Sequence, residues 1–155
     1  MIKLLASIAI CEAAGLIGSL FTIRSVNTWY KTLVKPVFTP PDWVFAPVWT
    51  LLYLMMGVSL FLVWNKGIKA PGVRDALYAF AFQLALTVVW SYEFFWLKCP
   101  VSGFFIIVIL WLAIHWTIFK FIHVSKPAAF LLIPYILWVS FAAVLNGAIM
   151  VMNFK

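Results

Sequence analysis

Five long runs of apolar residues follow one another along the chain, separated by short segments that are polar or rich in proline. The runs cover residues 4–23, 44–64, 76–97, 101–122 and 128–154. Each is close to the roughly 20 residues that an α-helix needs to cross the hydrocarbon core of a bilayer. An odd number of long runs without polar alternation is not typical of a bacterial β-barrel. The pattern therefore predicts an all-α membrane protein, a bundle of five transmembrane helices.

Prolines and glycines mark the boundaries between these runs. Pro71 and Gly72 separate the second run from the third, Pro100 precedes the fourth, and Pro127 opens the fifth. The first run superficially resembles a signal peptide, but its length and the lack of a small-residue cleavage site indicate a retained span. We expect residues 1–155 to form a single membrane domain in a multi-pass protein.

The first connection is longer than the others and has an unusual composition. Residues 25–43 include Trp29, Tyr30, Phe38 and Trp43 together with three prolines. Loops of this length in compact proteins are usually functional or disordered. The stiffness of proline favours the first alternative, an ordered cap over one end of the bundle.

Composition and charge exclude several classes of protein. A content of 66% hydrophobic and only 10% charged residues rules out a disulfide-stapled mini-protein and almost any water-soluble enzyme. The net charge of +7 is spread over loops and helix ends, which indicates contact with lipid headgroups rather than nucleic acid. Cys11 and Cys99 form no metal motif. We find no nucleophile–base pair and no phosphate loop, so no metal and no required cofactor are expected.

Aromatic and polar side chains recur at helical spacing in three of the runs. They are Trp49, Tyr53, Met56 and Leu60 in the second run; Gln83, Thr87, Trp90 and Phe94 in the third; and Tyr135, Trp138, Ala142 and Leu145, with Asn146 beside them, in the fifth. Lipid would leave their polar atoms without partners, so these faces should turn inward. Two interpretations remain open: a packed bundle core, or an aromatic slot for a flat apolar ligand with a few polar anchors.

Three further features carry hypotheses of their own. Glu12 is an ionisable residue within a span, which suggests a functional role, although a structural hydrogen bond to a neighbouring helix is the more common explanation. His115 has the chemistry of an axial haem ligand, but packing explains a lone histidine on an apolar helix more often. Ala81 and Ala85 form a small-xxx-small pattern on the third span, which suggests a homodimer through that helix.

Three ordered segments resemble the tryptophan-rich sensory protein/translocator protein family, also called TspO/MBR or the peripheral-type benzodiazepine receptor family. The segments are Trp29-Tyr30-x-x-Leu33-x-Lys35-Pro36-x-Phe38-x-Pro40-Pro41-x-Trp43-x-Phe45-x-Pro47-Val48-Trp49-Thr50-x-Leu52-Tyr53-x-x-Met56-Gly57, then Trp90-Ser91-x-x-Phe94-Phe95, and Leu132-x-Pro134-Tyr135-x-x-Trp138-x-x-Phe141-Ala142-x-x-Leu145-Asn146. The five-span layout extends the resemblance over the whole chain.

The resemblance implies a five-helix bundle, often dimeric, with a pocket under the first loop. In the family this pocket takes porphyrins, haem-type tetrapyrroles and benzodiazepine-site ligands. Carried over by position, its ligand-binding residues are Tyr30, Pro40, Trp49, Tyr53, Thr87, Trp90, Trp138, Ala142 and Asn146. Light-dependent breakdown of protoporphyrin in some bacterial members is attributed to the tryptophans that match Trp49 and Trp138.

The chain departs from the family pattern at three places. Thr87 stands where the family commonly has Asn, and Phe38 stands where many bacterial members have Trp. Residues 145–155 lack the Tyr of the cholesterol-recognition pattern of animal members, so cholesterol handling is not carried over.

Three functions follow from the sequence in order of preference. The first is a membrane protein, expected in a prokaryotic cytoplasmic membrane, that binds porphyrin or haem for sensing, regulation or transport. The second is an enzyme that degrades protoporphyrin photochemically with Trp49 and Trp138 as electron donors. The third is a transporter of another lipid or hydrophobic solute.

Overall fold

The computed structural model describes residues 1–153, which form α-helices and no β-strand. Five helices are long and apolar enough to cross a membrane: Ile2–Val26, Asp42–Trp64, Val73–Trp96, Pro100–Val124 and Lys126–Asn153. This confirms the five-helix bundle and a multi-pass integral membrane protein. Residue 154, the last of the fifth predicted run, lies outside the described residues.

Local sequence explains where the helices begin and break. In chain order they are α1 (Ile2–Val26), α2 (Trp29–Thr32), α3 (Asp42–Trp64), α4 (Val73–Ser91), α5 (Pro100–Val124), α6 (Lys126–Leu131) and α7 (Ile133–Asn153). A π-helical turn, Tyr92–Trp96, extends α4. Pro100 begins α5, where a missing N–H costs no helical bond. Pro134 clashes with the carbonyl four residues before it, which explains the break between α6 and α7.

The five spans form a closed ring around one core. α1 packs against α3 and α4, α4 packs against α5, α5 packs against α7, and α6 packs against α3. Around the bundle the spans therefore follow the order first, second, fifth, fourth, third. The largest buried side chains include Met56, Phe80, Ile107, Phe121 and Tyr135.

The tightest helix contact lies where α1 crosses α3. A Cβ atom added to Gly57 would lie 2.6 Å from the Cα atom of Ile8, so the two backbones almost touch there. A Cβ atom on Gly15 would lie 2.6 Å from the Tyr53 ring. Small residues at helix crossings allow this approach in membranes. Because Ile8 lies near the start of α1, this backbone contact is at the end of the helix away from the first connection.

Buried hydrogen bonds join α4 to α7 in the centre of the bundle. The Tyr135 hydroxyl donates to Gln83 Oε1 at 2.8 Å and lies 2.7 Å from Thr87 Oγ1. All three side chains are almost completely buried. The prediction that these faces turn inward is confirmed. Because Thr87 is bonded to Tyr135, its side chain belongs to the helix packing.

The first connection is ordered, as its prolines predict. The N–H group of Val34 donates to Asn153 Oδ1, and Asn153 Nδ2 donates to the Val34 carbonyl, both at 2.9 Å. Lys35 Nζ donates to the Tyr30 carbonyl at 2.8 Å and lies 4.7 Å from the centre of the Tyr30 ring. These contacts tie the connection to the end of α7 and hold it as a cap over this end of the bundle.

We predict that Gly57→Leu destabilises the bundle, because the new side chain meets the α1 backbone at Ile8. Overpacking of this kind costs about 1–3 kcal/mol. Thermal unfolding followed by circular dichroism should show a midpoint several degrees lower. Ala13→Leu, which adds bulk at an exposed position of α1, is the control and should leave the midpoint unchanged. Equal midpoints for both variants would mean that the crossing is not a tight constraint.

We also predict that Tyr135→Phe is destabilising, because it leaves the buried Gln83 carbonyl oxygen without its donor. An unsatisfied buried polar group costs about 1–3 kcal/mol. The matched control is Tyr78→Phe, since Tyr78 is 65% exposed and loses only an external hydroxyl. Reversible unfolding in denaturant should separate the two variants; a Tyr135→Phe protein as stable as the control would contradict the role of this network.

Candidate functional site

A cleft of about 380 Å³ lies between α1 and α3. Its volume falls within the range of roughly 300–1,000 Å³ that is usual for small-molecule sites. The residues that line it from the two helices are Glu12, Gly15, Leu16, Gly18, Ser19, Thr22, Ile23 and Val26 of α1, and Asp42, Phe45, Ala46, Trp49, Thr50 and Tyr53 of α3. Within each helix they recur every three or four residues, which is the spacing of a single helix face.

The cleft is open on one side and closed on the other. Leu16 and Ile23 of α1 are 68% and 63% exposed and form one lip. Ala46 and Thr50 of α3 are exposed and form the other. The inner wall is made of the buried Tyr53 and Trp90 rings. In a bilayer the open side between the lips faces the hydrocarbon, so a ligand can reach the cleft from the lipid.

Aromatic rings give the inner wall flat, apolar surfaces. The Trp49 ring stacks on Tyr53 with a centroid separation of 5.7 Å and lies 6.2 Å from Trp90. Trp90 stacks in turn on Phe94 at 5.7 Å. Each such pair stabilises by about 0.5–1.5 kcal/mol beyond the burial of its area. The rings are therefore held in place before any ligand arrives.

Hydrogen bonds behind the wall orient Trp90. Its indole Nε1 donates to Asn146 Oδ1 at 3.1 Å, and Asn146 Nδ2 donates to the Pro100 carbonyl at 2.9 Å. Asn146 is buried and contacts the back of the wall from α7. Its position indicates that it supports Trp90 from behind.

Tyr30 closes the cleft at the end beneath the cap. It is only 4% exposed and packs against Phe94 and Phe95 of the π-helical turn. Burial, with a smaller contribution from the charge of Asp42, raises the pKa of Tyr30 to about 12. The phenol therefore keeps its proton at neutral pH and is available as a hydrogen-bond donor.

The charged groups of the cleft are both acidic. Within the described part of the chain, Glu12 and Asp42 line it and no lysine or arginine does. Asp42 is exposed in the first turn of α3, where the helix dipole favours a negative charge. Glu12 lies near the middle of α1, and the translocon scale gives an unpaired carboxylate at a helix centre a cost of about 2.5–3.5 kcal/mol. The cleft therefore favours neutral or positively charged groups at its deep end.

The structure brings together only some of the predicted binding residues. Tyr30, Trp49, Tyr53 and Trp90 line the cleft. Pro40, Thr87, Trp138, Ala142 and Asn146 do not. Pro40 is half-buried in the cap, and Ala142 is buried in α7. The contribution of these five residues to ligand binding stays a prediction.

Trp138 belongs to α7 and lies apart from Trp49. It lies against the side of α3 that faces the fifth span. It lines a shallow apolar groove with Val48, Leu51 and Pro134, among others. Phe45, whose ring lies 5.9 Å from that of Trp138, is the contact between this groove and the cleft. Within residues 1–153, the buried Nε1 of Trp138 has no hydrogen-bond partner. The two tryptophans that the resemblance pairs in photochemistry therefore do not line one cavity.

The pattern of tryptophans does not reveal the α1 face of the cleft, because α1 contains no tryptophan. A signal for it existed in the sequence. Glu12, Ser19 and Thr22 are spaced so that they fall on one side of a helix, which is unusual for a membrane span. The structure places all three on the cleft.

His115 and the two alanines lie on the outer surface. The His115 Nδ1 atom is 2.9 Å from the Trp111 carbonyl of its own helix, and the side chain is exposed away from the cleft. Ala81 and Ala85 are exposed on α4. Across residues 1–153, no three His, Cys, Asp or Glu side chains are grouped so as to hold a metal ion.

Comparison with known proteins agrees with the resemblance seen in the sequence. The TspO/MBR family model matches residues 7–152. The chain is 47% identical to the tryptophan-rich protein TspO of Chlorobaculum tepidum, over 94% of this chain and 92% of that protein. It is 44% identical to the tryptophan-rich protein TspO of Archaeoglobus fulgidus, over 99% and 98% of the two chains.

The similarity extends to an animal protein. The chain is 35% identical to the translocator protein of Ovis aries, over 85% of this chain and 79% of that protein. The residues matched by the family model, 7–152, extend into all five membrane spans. The chain is thus a member of the TspO/MBR family.

Proposed function

We propose that this protein binds planar tetrapyrroles, such as protoporphyrin IX or haem, in the cleft between α1 and α3, for sensing, regulation or transport. The observation that carries the proposal is the aromatic wall of Trp49, Tyr53 and Trp90. A flat conjugated ring buries much apolar area against such a wall and stacks on it. The open side lets a ligand larger than the cleft extend into the hydrocarbon.

The charges of the cleft suggest how a tetrapyrrole would be oriented. Its two propionate groups are anionic, and both carboxylates of the lining, Glu12 and Asp42, would repel them. Lys31 and Lys35 belong to the first connection, at the capped end. We therefore propose that the propionates point towards the cap and the apolar edge of the ring points inward.

A photochemical activity is the second candidate, and one observation favours it. Trp49 lies between Tyr53 and Trp90, so three oxidisable or polarisable rings adjoin one another at the wall where the tetrapyrrole would lie. An excited porphyrin in contact with Trp49 could take an electron from the indole. In this proposal Trp49 is the donor, because Trp138 of α7 does not line the cleft.

A homodimer through α4 is also proposed. Ala81 and Ala85 lie on its outward face, together with the exposed Tyr78 and Phe82. Small residues at this spacing allow a second helix to approach closely. This face is distinct from the cleft, so a dimer would leave the proposed ligand site open to lipid.

We predict that Trp49→Leu weakens protoporphyrin IX binding at least tenfold, because the ligand loses its main stacking surface. A tenfold change corresponds to about 1.4 kcal/mol. The measurement is a dark titration followed by the shift of the porphyrin absorbance band. Trp138→Leu, which removes an indole outside the cleft, should change the affinity less than about threefold. If instead Trp138→Leu weakens binding tenfold and Trp49→Leu does not, the ligand lies in the groove beside Trp138 and our placement is wrong.

We further predict that light-dependent loss of protoporphyrin, if the protein carries it out, depends on Trp49. Trp49→Phe keeps an aromatic ring but is much harder to oxidise, so illumination should yield no new chromophore at saturating ligand. Trp138→Phe should retain the rate of the unmodified protein. A photoproduct of equal yield from all three proteins, and from free porphyrin, would show that the protein takes no part in the reaction.

A further inference from the structure

We propose that Glu12 forms an acceptor subsite at the deep end of the cleft, which takes a protonated amine at the end of a hydrophobic ligand. The inference requires the cleft to be a ligand site, as the proposed function does, but it does not require the ligand to be a tetrapyrrole. It assigns the cleft a second ligand class, flat lipophilic amines.

The position of Glu12 separates it from water. Along α1 it lies 14 residues from Val26 at the capped end, which is about 21 Å of helix. On its other side the crossing of α1 and α3 at Ile8 and Gly57 closes the cleft. A ligand group that reaches Glu12 is therefore no longer in contact with bulk water.

The neighbours of Glu12 place an aromatic ring on the same part of the cleft. Gly15, the next residue of the same face, has no side chain, and the Tyr53 ring lies directly against its Cα. A group lodged there would contact Glu12 on one side and an aromatic face on the other. Carboxylate and aromatic face together form a receptor for an ammonium group, through charge and cation–π attraction.

Among residues 1–153, no lysine or arginine lines the cleft beside Glu12. Lys3, the basic residue of α1 before Glu12, lies nine residues away, or about 13 Å along the helix, and is placed over the Trp64 ring. Lys3 is not among the residues that line the cleft. An ionised carboxylate in a medium of low dielectric constant interacts strongly with an opposite charge. A ligand cation would supply the partner that the protein itself does not place there.

The remaining lining determines what else the ligand must carry. Beyond Glu12 the wall is aromatic, formed by Tyr53, Trp49 and Trp90, and the open lip is aliphatic. The ligand should therefore have a flat apolar body attached to the amine by a short chain. Anionic groups should be disfavoured at the deep end.

Three probes that share one ring system test the proposal. They are 1-pyrenebutylamine, 1-pyrenebutanol and 1-pyrenebutyric acid, which carry a cationic, a neutral and an anionic group on the same flat body. The full chain is placed in nanodiscs of phosphatidylcholine, which has no net charge, and binding is followed by energy transfer from tryptophan to pyrene. We expect the amine to bind at least tenfold more tightly than the acid, with the alcohol between them.

The deciding variant is Glu12→Gln, which keeps the shape of the side chain and removes its charge. It should weaken binding of the amine at least tenfold and change binding of the alcohol less than threefold. Unchanged alcohol binding also shows that the variant is folded. The control is Glu93→Gln, which makes the same change of charge outside the cleft. It should leave the affinities for the amine and the alcohol unchanged.

Two results would overturn the inference. Equal amine affinity for Glu12→Gln and the unmodified protein would mean that Glu12 does not contact the amine. Equal losses of amine and alcohol binding would mean that Glu12 maintains the shape of the cleft. Titration of the same proteins with protoporphyrin IX keeps the proposals apart: Glu12-dependent amine binding without porphyrin binding would refute the proposed function alone, and the reverse would refute this inference alone.

Discussion

The close approach of α1 and α3 at Ile8 and Gly57 is the contact on which the shape of this protein depends. The cleft lies on the side of this contact that is towards the first connection, lined by residues 12–26 of α1 and 42–53 of α3. Gly15 extends the effect, because the Tyr53 ring fits against α1 only where no Cβ atom is present. Glycine here acts by its lack of volume rather than by flexibility.

Polar groups of the interior fall into two sets with different roles. Gln83, Thr87 and Tyr135 satisfy one another, and Asn146 satisfies Trp90, so these bonds fix α4 relative to α7 and hold the aromatic wall rigid. Glu12, Ser19 and Thr22 instead face the cleft from α1, where the two hydroxyls donate only to carbonyl groups of their own helix. In lipid a polar group without a hydrogen-bond partner raises the free energy of the protein. Interior groups that are hydrogen-bonded to another helix therefore specify one packing of the bundle. Polar groups that line a cavity are available to contact a ligand.

The cap closes one end of the cleft and leaves its side open. Proline-rich backbone is tied to α7 through Val34 and Asn153, and Tyr30 closes the end of the cleft below it. The lips of the cleft lie along the sides of α1 and α3, where the bundle meets lipid. A hydrophobic ligand that is already dissolved in the bilayer can therefore reach the aromatic wall without crossing the cap. This geometry accords with a role in handling ligands that partition into membranes.

The order of residues was enough to predict the five spans, because run length and hydropathy depend on nothing else. The three motifs identified the family. The sequence also indicated that Trp49, Tyr53 and Trp90 face inward, since lipid offers their polar atoms no partners. It did not separate Trp49 from Trp138, or single out the polar face of α1. Helical periodicity tells which residues share a face, but not which neighbouring helix that face meets or how closely. Those distances were decided in the tertiary structure, by the small volume of Gly15 and Gly57 and by hydrogen bonds between helices far apart in sequence.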